Sequence, residues 1–294
     1  EVTYNVSAAF YNAQSLAKQI DFLEGNLASL EKVTQTTRLL ADQQLATPVS
    51  VQRLQLQQEN LQNQLQNLRD AYAQTLRLLQ LLAGIPQTEA IRIDTAIRVP
   101  DAGVLVEGPV QRTELQLLYK QKAGNLLEQQ RIRAGAMPTL AAFGSYSYTG
   151  FGKFGENDFL KFYPSSALGV SLQWNLFDGQ ARRAKLAQKN LELHQLENRQ
   201  TLLQESIDME RTNARNHILS GQRALAASQS SVRLAEKVLD QTALQLREGL
   251  ANITDLLNAE NALREAQTNY LNALIKLRTA QLDMDKATGR LLIH

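Results

Sequence analysis

Residues 166–177, SALGVSLQWNLF, alternate strictly and then run straight into a helical pattern that continues for about seventy residues. Leu168, Val170, Leu172, Trp174 and Leu176 fall on one face of an extended chain, and Gly169, Ser171, Gln173 and Asn175 on the other. A period of two belongs to a strand with one apolar and one polar side. An interfacial Trp near its end fits a strand with lipid on one side and water on the other. A half-buried strand of a soluble protein has the same pattern, so alternation alone leaves both open.

A second segment, residues 139–149, TLAAFGSYSYT, offers a partner. Leu140, Ala142, Tyr146 and Tyr148 share one face, and Ser145, Ser147 and Thr149 the other, interrupted by Phe143 and Ala141. Tyr146 and Tyr148 sit at the far end of this strand and Trp174 near the end of the returning one, so aromatics mark both boundaries of the pair. Residues 150–165 between them are Gly-rich, aromatic and charged, as in a long external loop. The competing expectation is an ordinary hairpin packed on soluble helices.

The rest of the chain reads as long helix. Only 6 Pro and 15 Gly occur in 294 residues, and most of the Gly lies between 103 and 179. Leu256, Leu263, Tyr270, Leu277 and Met284 repeat every seven residues, with Ala259, Ala266, Ala273, Ala280 and Ala287 three positions later. The preceding stretch repeats Ile218, Leu225, Val232, Leu239 and Leu246, offset against Gly221, Ser228, Ala235, Thr242 and Gly249. Sustained heptads predict coiled coils, and small residues at alternate seam positions predict closely approaching backbones. Asp178-Gly179 supplies the start of a helix running to about Glu248, roughly 100 Å at 1.5 Å per residue. A return helix spans about 256–288.

The ends of the chain correspond without a gap at an offset of 205. Glu31-Lys32-Val33 matches Glu236-Lys237-Val238, Thr37 matches Thr242, Leu45-Ala46 matches Leu250-Ala251 and Gly84 matches Gly289. This register predicts a duplicated helical hairpin. The expected organisation is a first hairpin at 1–84, a connector at 85–111 with one short strand, and a helix leading to the strands at 112–137. A β-hairpin at 138–178 follows, then a second hairpin at 179–289 and a tail at 290–294. Glu1 begins inside a helical pattern, and by the same offset a second strand pair is expected upstream of it.

Composition excludes several functions. A net charge of +2 with scattered bases gives no reason to expect nucleic acid, and the absence of Cys excludes disulfides and thiolate metal sites. His194, His217 and His294 are isolated, so no metal site, cofactor or catalytic group is expected. Glu205 and Glu210 read as solvated helix positions.

Four segments resemble the outer-membrane efflux protein family, the TolC-like channels. They are Arg112-Thr113-Glu114-Leu115, Met137-Pro138-Thr139-Leu140, Trp174-Asn175-Leu176-Phe177-Asp178-Gly179 with Arg182-Arg183, and the stretch from Leu246 to Ala259. The resemblance implies a mainly α fold with a β-strand pair. Long antiparallel coiled-coil hairpins form an α-barrel tunnel, and the strands belong to an oligomeric transmembrane β-barrel. It implies a passive homotrimeric exit duct in the outer membrane of a Gram-negative-type bacterium, with a periplasmic helical domain. Its partners would be a periplasmic adaptor (membrane fusion) protein, an inner-membrane pump and outer-membrane lipid. Leu168, Val170, Leu172, Trp174, Leu176, Tyr146 and Tyr148 would face lipid. The hairpin tips Gly249-Leu250-Ala251 and Gln44-Leu45-Ala46 would meet the adaptor, with Gln44 departing from the pattern. Asp255, Asn258 and Ser50 would line the constriction, although Asp255 is equally placed to stabilise a helix dipole. The rival reading is a structural periplasmic coiled-coil or adaptor protein without a membrane barrel. Adaptors flank their hairpins with Gly- and Val-rich modules that this sequence lacks.

Overall fold

The computed structural model describes residues 2–44, 46–95, 110, 112–151 and 161–292. In order these form α1 (Val2–Asp42), α2 (Pro48–Ala83), α3 (Thr113–Ala134), β1 (Thr139–Phe151), β2 (Lys161–Gln173), α4 (Ala181–Arg247) and α5 (Ile253–Thr288), followed by a 3-10 turn at Arg290–Leu292. Two compact units result, one of Glu1–Arg112 with Ser206–His294 and one of Thr113–Glu205.

The first unit is built on the heptad seams. Leu256, Ala259, Leu263, Ala273, Leu277, Ala280 and Ala287 are buried on α5, as are Ile218, Gly221 and Leu225 on α4. Ile218 and Leu225 pack with Ala273, Leu274, Leu277 and Ala280. At Gly221 the two helices approach closely, because a Cβ there would lie 3.3 Å from Leu277 Cα. A second cluster joins Leu23 and Leu30 of α1, Leu54, Leu61 and Leu65 of α2, and Ile253 at the start of α5. Each fully buried Leu contributes about 2 kcal/mol of apolar burial, so these short seams carry the stability of helices that are otherwise wet.

The two hairpins coincide in detail at the offset of 205. Asp42 and Arg247 end α1 and α4, Pro48 and Ile253 begin α2 and α5, and Ala83 and Thr288 end them. Thr47 and Asn252 are both extended N-caps whose side chains accept from the backbone N–H of Ser50 and Asp255. Gly84 and Gly289 are both left-handed C-caps, with φ of 71° and 79°. At the tips, Gln44 has φ 62° where Gly249 has φ 75°. The first hairpin therefore keeps the turn of the second while placing a side chain in a conformation that costs a non-glycine residue about 1 kcal/mol.

Connector residues 85–95 form no strand and are tied to both helices of the first hairpin. The amide of Gln14 donates to Asp94 O at 2.8 Å, and that of Gln80 donates to Glu89 O. The short strand expected in the connector is not found at 85–95, and 96–109 lie outside the described residues.

In the second unit α3 runs antiparallel to the start of α4. Lys122 pairs with Glu197 at 2.9 Å, Asn125 donates to Glu192 at 3.4 Å and Gln129 donates to Lys189 O at 3.4 Å. The strand pair differs from expectation at both ends. β1 continues to Phe151, and β2 occupies Lys161–Gln173 rather than 166–177. Pro164 lies inside β2 opposite Tyr148. Of the loop expected at 150–165, residues 150–151 and 161–165 are strand, and 152–160 lie outside the described residues. Trp174 and Leu176, expected in the strand, lie beyond it. The Trp174 indole instead donates to Ala136 O at 3.1 Å, and the chain leaves the ladder to make the left-handed pair Gly179 (φ 61°) and Gln180 (φ 68°) before α4. Asp178 accepts the Arg182 N–H at 3.2 Å, in the stabilising position expected for it.

Replacing Gln44 with Gly should raise stability by about 1 kcal/mol by relieving the left-handed side chain, whereas Gly221→Val should lower it by about 1–3 kcal/mol by prising α4 from α5. Thermal unfolding of both variants against the parent checks the pair.

Candidate functional site

Two regions carry the residues singled out in the sequence: the faces of the strand pair and the tips of the hairpins.

The register of the ladder decides the faces. Leu140 opposes Leu172, Ala142 opposes Val170, Gly144 opposes Leu168, Tyr146 opposes Ser166 and Tyr148 opposes Pro164. Directly opposed residues share a face, so Leu168, Val170, Leu172, Tyr146 and Tyr148 form one apolar surface. Leu168 is 91% exposed. The Tyr146 hydroxyl donates to that of Tyr148 at 2.9 Å, with the rings edge-to-face. The opposite surface carries Thr139, Ser145, Ser147, Thr149, Ser165, Ser171 and Gln173. Ser147 and Ser165 hydroxyls meet at 2.9 Å, and Thr139 donates to Gln173 O at 3.3 Å. Phe143 interrupts this polar face by lying over Gly169, where a Cβ would stand 2.6 Å from the ring. The glycine is therefore required by the aromatic, and the ring covers the backbone left bare there.

Dimensions agree with a membrane. Phe162 on the apolar face and Trp174 just past β2 are twelve residues apart. That is about 40 Å of extended chain, or about 30 Å of height if tilted by about 40°. The hydrocarbon core of a bilayer is about 30 Å thick. Among the described residues no helix is long and apolar enough to cross a membrane.

At the tips, Asp255 is the third residue of α5 and completes a reciprocal cap. Its N–H donates to Asn252 Oδ1 and its Oδ2 accepts the Asn252 N–H, both at 3.0 Å. Asp255 and Asn258 remain exposed. Ser50 repeats the arrangement without charge, donating its N–H to Thr47 Oγ1 at 3.3 Å while the two hydroxyls meet at 2.9 Å. Leu250 stands 76% exposed beside Gly249. Gln44 is exposed, Ala46 and Ala251 are partly covered, and Leu45 lies outside the described residues. The fold brings both tips to one end of the first unit. Arg53, in the first turns of α2, donates to Thr254 Oγ1 at 2.9 Å, and Leu246, Leu257 and Ile253 pack with Leu30 and Leu54.

Sequence reasoning missed the polar bonds that join the hairpins. Arg53–Thr254, Asn26 to Gln267 at 3.0 Å and Tyr4 to Asp283 at 2.7 Å connect residues more than 200 apart. The Asp283 carboxylate accepts the Tyr4 hydroxyl and pushes its pKa up to about 12. Arg112 opens α3 in the sequence motif, but its side chain reaches back to Glu210 at 3.0 Å and to Lys286 O. Glu210 is thus a partner rather than a merely solvated position. No sequence signal marks these pairs, since each is made only when separate helices are packed.

One carboxyl is out of balance. Glu260 is 8% exposed on α5. Burial pushes its pKa up to about 7, and Arg264 one turn away opposes this only in part. Burial likewise holds Arg264 below its ordinary value, against the attraction of Glu260. Desolvation therefore exceeds attraction for both. Beside them a groove of about 390 Å³ is lined by Gln19, Phe22, Asn26, Asn67, Arg264 and Gln267 among others. Its amides form no catalytic grouping. Among the described residues no cluster of His, Cys, Asp and Glu can hold a metal. His194 stands beside Glu197 at 3.3 Å, and His294 lies outside the described residues.

Because the fold favours protonated Glu260, the stability linked to it is complete below pH 4.5 and declines as pH rises toward about 7. The decline amounts to at most about 3 kcal/mol. Glu260→Gln should abolish it and leave the variant more stable than the parent at pH 8. Unfolding midpoints measured from pH 4 to 8 check this.

Comparison with known proteins places this geometry among others. A family model described as "Outer membrane efflux protein" matches residues 128–290, from late α3 through both strands to the end of α5. No curated protein sequence matches. Among solved structures, the chain superposes on the outer membrane protein VceC from Vibrio cholerae with a TM-score of 0.74 and 16% identity, covering 98% of this chain and 69% of that one. The outer-membrane channel OprN gives 0.74 and 17%, covering 97% and 65%. The CmeC outer membrane channel of Campylobacter jejuni gives 0.72 and 12%, covering 98% and 62%. The chain thus spans about two thirds of the length of the structures it matches.

Proposed function

Because this chain belongs to the outer membrane efflux protein family, we propose that it is a subunit of a passive trimeric exit duct in the outer membrane of a Gram-negative-type bacterium. The observation that carries the reading is the strand pair, apolar on one face and hydroxyl-lined on the other, joined directly to long helical hairpins. Two strands with free edges cannot stand in lipid, where every unpaired N–H and C=O is costly. Strands from other copies must close them. In the closed barrel Leu168, Val170, Leu172, Tyr146 and Tyr148 face acyl chains, with Trp174 and Leu176 at the rim. The serine face lines the water-filled interior.

The hairpins continue the duct through the periplasm. Their tips form its far end, where Gly249, Leu250, Ala251, Gln44, Leu45 and Ala46 meet a periplasmic adaptor that couples the duct to an inner-membrane pump. Asp255, Asn258 and Ser50 line the constriction there. One Asp255 oxygen serves the cap, yet the residue stays exposed. Three copies make an anionic ring, which favours cations. Such a duct moves solute without bond chemistry.

Single-channel recording in planar bilayers tests the ring. Asp255→Asn should lower cation-over-anion selectivity several-fold while the channel still inserts; unchanged selectivity removes Asp255 from the pore. Leu250→Glu should abolish co-purification with the adaptor without altering conductance. Retained co-purification would take the tip out of the interface.

A further inference from the structure

The hydroxyl-lined face of the strand pair carries two large rings among small residues. Its successive rungs are Ala141–Ser171, Phe143–Gly169, Ser145–Ala167, Ser147–Ser165 and Thr149–Tyr163. Directly opposed residues, and those two apart along a strand, share a face, so Phe143 and Tyr163 stand on this one. Every other residue of these rungs is Gly, Ala, Ser or Thr. Phe143 is 56% exposed and Tyr163 54%. Their rungs are six residues apart, about 20 Å along the strands.

The ladder itself does not call for the rings. Neighbouring rungs close with small residues, and the hydroxyls of Ser147 and Ser165 meet at 2.9 Å. A ring left open to water forgoes the burial that normally favours an aromatic. The position of Phe143 is nevertheless fixed. Its distal ring carbons lie 2.6–3.2 Å from where a Cβ on Gly169 would stand. The ring therefore leans across to the partner strand and rests on bare backbone, while more than half of it stays open. Among the described residues no other ring and no cation lies against it. The result is an aromatic surface held in place beforehand, which lowers the cost of binding to it.

In the proposed duct this face looks into the lumen, so what meets the rings is solute in transit. An aromatic side chain attracts another ring by offset or edge-to-face contact, and a cation over its face. A solute with both features uses both attractions. We propose that Phe143 and Tyr163 are successive contact points on the lumen wall for solutes that carry an aromatic ring and a positive charge. The inference rests on the duct reading above and adds a class of cargo to it.

The test records single channels of the full chain in planar bilayers. One solute is 9-aminoacridine, a planar aromatic cation, and the other is tetraethylammonium, which has the charge without the ring. Current noise gives the residence time of each. In the parent 9-aminoacridine should reside several-fold longer. Phe143→Leu, which keeps an apolar side chain beside Gly169, should shorten that residence by about two- to fivefold, whereas Phe143→Trp should lengthen it. Tyr163→Leu should also shorten it, and Phe143→Leu combined with Tyr163→Leu should bring it down to that of tetraethylammonium. Tyr146→Leu, which removes an aromatic from the opposite face, should leave the residence unchanged. Equal residence of the two cations in the parent overturns the proposal. So does a difference that survives in the double variant, or one that falls as much in Tyr146→Leu. Conductance of the parent in potassium chloride reports the duct separately. Conductance with equal residence overturns the contact points alone, and absence of conductance overturns them together with the duct reading.

Discussion

A backbone hydrogen-bonding group has no partner in hydrocarbon, and this constraint organises the molecule. The ladder between β1 and β2 satisfies only its inner groups, so the outer edge of each strand needs another strand. The side chains already assign the environments: Leu168, Val170 and Leu172 opposite Gly144, Ala142 and Leu140 on one face, and paired serines on the other. In the proposed duct, further strands must complete the barrel before these two can stand in lipid. The exposed leucines and tyrosines, a liability in a soluble monomer, are in the proposed duct the surface that lipid covers.

The helical part solves a different problem. A wall of helices around water cannot rest on one central core, so each seam must hold its own neighbours. Large residues facing small ones do this, and the tight contact of Gly221 with Leu277 is one such point. The buried clusters are correspondingly narrow. Polar bonds such as Arg53–Thr254 and Asn26–Gln267 fix the hairpins against one another with little apolar cost. The matching helix ends at an offset of 205 carry the same solution twice, with Ser50 where the other copy has Asp255.

Much of this was legible in the sequence, because period and spacing are local signals. The heptads of Leu256 and Ala259 gave the buried face of α5, and alternation around Leu168 gave the faces of β2. The ends of the two hairpins followed from Gly84 and Gly289. The ends of the strands were not legible. Pro164 reads as loop, and only the partner strand decides that it pairs with Tyr148. Trp174 continues the alternation in sequence yet leaves the ladder to bond Ala136 O. The buried Glu260 and the role of Glu210 were also hidden, since a carboxylate on a helix reads as solvated until the neighbouring helix is in place.

The central claim is that the two faces of the strand pair meet different solvents. The chain contains no cysteine, so single-cysteine variants can be spin-labelled along β2 from residue 165 to 173 in reconstituted vesicles. Collision rates with oxygen, which concentrates in lipid, and with a water-soluble nickel chelate should then alternate with a period of two. Oxygen should be highest at 168, 170 and 172, and nickel highest at 167, 169 and 171. Equal rates on both faces, or nickel access throughout, would contradict the account.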